Sequence, residues 1–207
     1  MGKSEDTRFV QRVLNASEQR QVFASTHPDI ILWALWAAKE TAFKAVSKAF
    51  PDVSSAPRCY PVELDSKTIR ETAQGRVMTP HGSVEIKIDF QENYVHCIGI
   101  FGASDNFESI HCHIEETDTH APQAAGSISE KESLAVRRLA IENIAKSLHM
   151  NARNIRIIRS QAENRLHPPA VYVDDKRQNI EISLSHAGRF AACAFLIKDR
   201  HIPFLKI

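Results

Sequence analysis

Two short strings hold most of the side chains able to do chemistry: Lys39-Glu40-Thr41-Ala42-Phe43-Lys44 and Ser183-Leu184-Ser185-His186. Glu40 and Lys44 stand four apart, so on a helix they share a face, with Trp33, Trp36 and Ala37 on or beside it toward the N-terminus. As an exposed ion pair they would contribute roughly 0.3 kcal/mol. Carried by an apolar helix into a half-buried cleft, the carboxylate would instead need a cation, and Mg²⁺ held by one carboxylate plus substrate phosphates meets that need. In the second string, adjacent strand residues point to opposite faces, so His186 is poorly placed to activate Ser185, and no GxSxG elbow occurs. A hydroxyl and an imidazole at a strand end, followed by Gly188 and the cation Arg189, suit an oxyanion or a phosphate. A third string, His111-Cys112-His113, has metal-ligand residue types. With a period of two it reads as a half-buried strand, Ile110, Cys112 and Ile114 inward and His111, His113 and Glu115 outward. A zinc or copper site drawing on His96, His111, Cys112 and His113 is the alternative reading.

Two helices and several strands must position these residues. Asn15 and Glu18 form a capping box for a short helix over 16–25. Asp29 is the expected cap of a second helix running to Phe50, where Pro51 ends it. Its first half, Ile30 to Ala38, is apolar nearly all round and reads as a buried central helix, with charge appearing at Lys39, Glu40 and Lys44. Strands are predicted over Cys59–Leu64, Arg76–Thr79, Val84–Phe90, Tyr94–Phe101 and Ile110–Glu115. Ser129 with Glu132 reads as another capping box, opening a helix to His149 whose apolar face uses Leu134, Ile141, Ile144, Ala145 and Leu148. Strands return at Ile155–Ser160, Ala170–Val173, Ile180–Ser185 and Phe190–Ile197.

Each half thus runs from a long helix into a set of strands. A 96-residue shift lays Val84-Glu85-Ile86-Lys87-Ile88 on Ile180-Glu181-Ile182-Ser183-Leu184, and Cys97 on Cys193, with the apolar alternation in phase. The expected fold is α+β, a pseudo-two-fold duplication of a helix-plus-antiparallel-sheet unit: a first repeat over 1–115, a linker over 116–128 and a second repeat over 129–207. Ser185 and His186 then correspond to Asp89 and Phe90, and the second helix lacks a Lys-Glu pair around 135–140. Each half keeps one charged feature and lacks the other, so one complete site is expected in a cleft where the halves meet, with Lys39, Glu40 and Lys44 from the first and Ser185 and His186 from the second.

Composition narrows the partners. With 207 residues, 26 Lys+Arg against 25 Asp+Glu and a net charge of +1, the chain has no cation excess to neutralise a nucleic-acid backbone. The apolar run Ile30–Ala38 is far short of the roughly 20 residues that span a bilayer, and no basic leader precedes it. The expectation is a cytoplasmic protein with neither nucleic-acid nor membrane partners. The four cysteines include no CxxC pair, and Cys97 and Cys193 lie in apolar strands where a thiol packs as a small hydrophobe.

In combination, Arg8-Phe9 through Arg12-Val13-Leu14 with Glu18, Trp36-Ala37-Ala38-Lys39-Glu40-Thr41-Ala42-Phe43-Lys44, Pro168-Pro169, and Ile182-Ser183-Leu184-Ser185-His186 with Phe190-Ala191 resemble the 4′-phosphopantetheinyl transferase superfamily, in particular its holo-acyl-carrier-protein synthases in a duplicated, single-chain, monomeric form. The resemblance spans residues 8–50 and 165–197. It implies Mg²⁺-dependent transfer of the phosphopantetheine arm of coenzyme A to a serine of an acyl or peptidyl carrier protein, as in fatty acid or polyketide biosynthesis. On it, Glu40 is the metal ligand, Lys39 and Lys44 sit by the phosphates or assist proton transfer, and Ser185 and His186 hold coenzyme A phosphates. Family members normally begin with a strand carrying Gly-x-Asp, whose aspartate is a second metal ligand. Seven residues precede Arg8 here, and Gly2–Asp6 reads as the linker after such a strand. A second expectation follows, of a catalytically impaired relative that binds coenzyme A or a carrier protein as an interaction module.

Overall fold

The period-two alternation of the chain's middle and end becomes antiparallel sheets, and the two long apolar stripes become the helices that cover them. The structure, a computed structural model, describes residues 2–65, 71–102, 106–117, 127–162 and 165–198. It is α+β, divided into two units, Met1–Phe107 and Glu108–Ile207. Most of the expected linker, residues 118–126, lies outside the described residues. No helix among the described residues is long and apolar enough to cross a membrane.

The first unit opens with a 3₁₀ turn, Lys3–Glu5, and helix α1, Thr7–Val13. Asp6 caps α1 by accepting from the Phe9 N–H at 3.0 Å. Helix α2, Ala16–Phe23, has the expected capping box: Asn15 accepts from the Glu18 N–H, and Glu18 Oε2 accepts from the Asn15 N–H. Helix α3, Pro28–Ala49, starts earlier than expected. Pro28, with no N–H to satisfy, takes the first position after the cap residue His27. Asp29 therefore sits in the first turn, where it accepts from the Ser4 N–H at 2.6 Å.

Helix α3 buries two stripes. Ala34, Ala38, Ala42 and Val46, four apart, lie over the sheet with Tyr60, Val77, Val84, Ile86 and Ile88. Ile31, Leu32 and Leu35 pack with Val10, Val13, Leu14 and Val22 of α1 and α2 and the turn between them. Small residues on the first stripe allow close approach to the sheet, as Thr41 shows by donating to the Cys97 carbonyl at 3.1 Å.

That sheet has four antiparallel strands in sequence order: β1 Val62–Leu64, β2 Thr72–Thr79, β3 Gly82–Phe90 and β4 Val95–Phe101. The expected first strand, Cys59–Leu64, is shorter: Cys59 closes a 3₁₀ turn, Pro57–Cys59, and the strand begins at Val62. Val84, Ile86 and Ile88 of β3 face the helix, while Glu85, Lys87 and Asp89 face the other side.

The second unit contains β5 His111–Glu116, α4 Ile128–Leu148, β6 Ile155–Ile158, β7 Gln161–Ala162, β8 Arg165–Leu166, β9 Ala170–Val173, β10 Lys176–Arg177, β11 Ile180–Ala187 and β12 Phe190–Ile197. Its sheets run β11-β12-β5 and β10-β9-β6, with β7 and β8 a separate pair. The α4 cap differs from the expected Ser129 and Glu132. Ser127 and Glu130 make the capping box, two residues earlier. The buried face of α4 accordingly uses Val136, Leu139, Ala140, Ile144 and Ala145, and Leu134 is 65% exposed.

Strand β5, placed by its position in sequence with the first set of strands, pairs with β12. Its register sets His113 opposite Cys193 and His111 opposite Phe195. Because Cys193 and Phe195 face α4, His111, His113 and Glu115 share the helix-side face, the reverse of the expected orientation. Both imidazoles stack on Phe195, at 4.8 and 6.1 Å between ring centroids, and Glu115 accepts from Arg138 of α4 at 2.9 Å. An edge strand tolerates this because its ring faces pack on an aromatic neighbour while their polar edges stay near water.

The two hairpins β3–β4 and β11–β12 share one register. Val84 opposite Phe101 and Ile88 opposite Cys97 become, after the 96-residue shift, Ile180 opposite Ile197 and Leu184 opposite Cys193. The second hairpin extends to Ala187 opposite Phe190 and turns on Gly188, whose φ of 57° is open to glycine at low cost.

Candidate active site

The chemistry-bearing strip of α3 follows from its helical period. With Ala34, Ala38, Ala42 and Val46 turned to the sheet, Glu40 and Lys44 fall on another face, one turn apart, and both are half-buried. Glu40 makes no hydrogen bond or ion pair among the described residues. A half-buried carboxylate without a protein donor among the described residues has oxygen lone pairs open to water or a cation. Lys44 places its charge near His96 on β4. Burial pushes His96 below the ordinary imidazole value; Asp89, its cross-strand neighbour, opposes that shift and Lys44 adds to it.

Lys39 has a different place from the one expected. Its side chain is 1% exposed, and its ammonium donates to Glu18 Oε1 at 2.8 Å, to the Tyr60 carbonyl at 2.7 Å and to the Pro57 carbonyl at 3.2 Å. All three protons are thereby taken, so none is left for a phosphate. Burial pushes the ammonium below its ordinary value, and Glu18 opposes the shift. Glu18 is the node of this region. Besides closing the α2 capping box it accepts from Lys39 and, at 3.0 Å, from the Val62 N–H, so it ties α2, α3 and β1 together. The capping role was legible in the Asn15–Glu18 spacing; the pairing with Lys39 had no local signal.

Ser185 and His186 end up on opposite faces of β11, as alternation requires. Ser185, exposed, shares its face with Ser183; His186 lies on the α4 side with Ile182 and Leu184. There Nδ1 of His186 is 3.2 Å from Oε2 of Glu132, in the first turns of α4. Sequence reasoning had spent Glu132 on a helix cap. In the following turn, Arg189 pairs with Glu116 at 3.1 Å and lies over the Phe190 ring.

Mg²⁺ takes hard oxygen ligands in near-octahedral geometry, commonly one or two carboxylates completed by substrate phosphates. Glu40 fits that donor chemistry. The alternative zinc or copper site does not assemble: no group of three or more His, Cys, Asp or Glu side chains comes together among the described residues, and alternation sends Cys112 to the face opposite His111 and His113. Asp6, a carboxylate near the N-terminus, is held as the α1 cap and by Lys3 at 2.7 Å, which keeps its carboxyl below the ordinary value.

No curated protein and no solved structure matches the chain. The family model described as 4′-phosphopantetheinyl transferase superfamily matches residues 2–98. That segment contains α1, α2, the whole of α3 with Glu40 and Lys44, and β1 to β3. Residues 2–98 of this chain are thus similar to the 4′-phosphopantetheinyl transferase superfamily, whose general chemistry is phosphopantetheine transfer.

Proposed function

We propose that the chain transfers the 4′-phosphopantetheine arm of coenzyme A to a serine of an acyl or peptidyl carrier protein, with Mg²⁺ as the metal. The observation that carries this reading is Glu40, a half-buried carboxylate without a protein partner among the described residues, inside the segment matched by the family. In the reaction, the serine hydroxyl oxygen bonds to the β-phosphorus of coenzyme A, the bond to the bridging pyrophosphate oxygen breaks, and adenosine 3′,5′-bisphosphate leaves. Mg²⁺ bound at Glu40 would supply charge neutralisation on the pyrophosphate oxygens.

The chain's own residues do the rest by position and charge. Lys44, one turn from Glu40, faces negative charge developing on the leaving oxygen or helps remove the serine proton. His186 and Ser185 bind phosphates of coenzyme A. Lys39 serves the fold by holding Glu18, which fixes the segment of α3 from which Glu40 and Lys44 project. We also read the two units as copies of one ancestral unit; the shared register of the two hairpins supports this.

Intact-mass measurement of an apo carrier protein incubated with the chain, coenzyme A and Mg²⁺ tests the reaction. A mass gain equal to phosphopantetheine is expected, lost on chelation. Glu40→Ala should lower the rate about 100-fold or more with an unchanged circular dichroism spectrum, and undiminished turnover would remove Glu40 from the site. Binding of coenzyme A with no transfer under any metal condition would instead support the impaired, interaction-module reading.

A further inference from the structure

His186 has an ion-pair partner on α4. Glu132 Oε2 lies 3.2 Å from His186 Nδ1, and the Glu132 side chain is 18% exposed against 40% for His186. A carboxylate so far withdrawn from water needs a donor. His186 is its ion-pair partner among the described residues. To fill that role, Nδ1 must carry a proton, and giving it to Glu132 sets both the tautomer and the orientation of the ring. Nε2, on the opposite side of the ring, has no partner among the described residues.

We propose that Glu132 is a positioning residue for His186. By accepting the Nδ1 proton it fixes the orientation of the ring and holds Nε2 where it can share a proton with a phosphate of coenzyme A. This rests on the assignment of His186 to those phosphates. Without the carboxylate the ring is free to turn about its side-chain bonds, and fewer of its conformers present Nε2. Removing the carboxylate should therefore weaken binding. The local fold makes the test clean, because the α4 cap is made by Ser127 and Glu130 and does not involve Glu132.

Coenzyme A affinity of the full chain is measured by calorimetry for the wild type, Glu132→Gln, Glu132→Asp, His186→Ala and the Glu132→Gln/His186→Ala double variant. ¹⁵N spectra of the His186 imidazole are recorded for the same set where the ring is present. Glu132→Gln should bind roughly tenfold more weakly, the scale of loss when a carboxylate that orients an imidazole is removed. The double variant should be no weaker than His186→Ala, Glu132→Asp should recover part of the loss, and the Nδ1 resonance should move in Glu132→Gln. If His186→Ala weakens binding but Glu132→Gln leaves affinity and imidazole spectrum unchanged, the role of Glu132 is overturned while that of His186 stands. Additive losses in the double variant also overturn it, since Glu132 would then act independently. Unchanged affinity in His186→Ala overturns the assignment of His186 itself, and the positioning role with it.

Discussion

Lys39 and Glu40 are sequence neighbours with opposite fates. One is drawn into the core by Glu18 and two carbonyls; the other has no protein donor among the described residues. The difference is about 100° of helical rotation, which turns Lys39 toward α2 and Glu40 away from it. A buried ion pair contributes little net stability when intact but costs heavily when one partner is removed, because the other charge stays buried. Lys39→Met should therefore destabilise the chain by about 3 kcal/mol, read as a fall in the urea midpoint. Adding Glu18→Gln should restore part of that loss. A loss below about 1 kcal/mol, the surface-pair range, would show that Lys39 is not held in this way.

At the scale of elements, two local rules carry most of the first unit. The Asn15–Glu18 box starts α2 by satisfying N–H groups that the first turn leaves without helical partners. Asn15→Ala should cost about 1 kcal/mol in denaturant unfolding, and a neutral result would mean that the Glu18 arm alone holds the turn. The other rule is the close approach of β1 to β2. A Cβ at Gly75 would lie 2.2 Å from the Glu63 carbonyl oxygen and 2.9 Å from the Leu64 Cα, backbone atoms that cannot give way without moving the strand. Gly75→Ala should thus destabilise by about 2 kcal/mol or more and loosen β1, raising hydrogen exchange at the Asp65 amide, which donates to the Gln74 carbonyl at 2.9 Å. Wild-type protection there would rule out so close a pairing.

Over the whole molecule, Cys97 and Cys193 stand at corresponding places in the two hairpins, and burial pushes each thiol up to about 12 from an ordinary 9.0. A raised thiol pKa contributes stability that is complete below pH 9, where both folded and unfolded thiols are protonated. It is lost between pH 9 and about 12, where the unfolded thiol has ionised and the folded one has not. Each thiol should then remove roughly 1.4 kcal/mol per pH unit in that window. Urea unfolding at pH 8 and pH 10 checks this, with Cys97→Ala and Cys193→Ala as references that should lose less on going to pH 10. An alkaline loss in both variants as large as that of the wild type would assign the effect to other groups.

What the sequence by itself determined is local or periodic. Strand alternation must keep Val84, Ile86 and Ile88, and likewise Ile180 and Ile182, on the covered face, so the phase of both hairpins could be read directly, and a one-residue slip would have exposed every one of them. The α2 capping box and the shared face of Glu40 and Lys44 were equally legible, since each depends on residues within about one turn. Tertiary structure decided everything that joins distant segments. It gave Lys39 to Glu18, gave His186 to Glu132, and paired β5 with β12 so that His111 and His113 stack on Phe195. The physical reason is that a charge or an imidazole has many acceptable partners in a sequence, and only packing, by burying one of them at hydrogen-bond distance, makes a single choice cheaper than water.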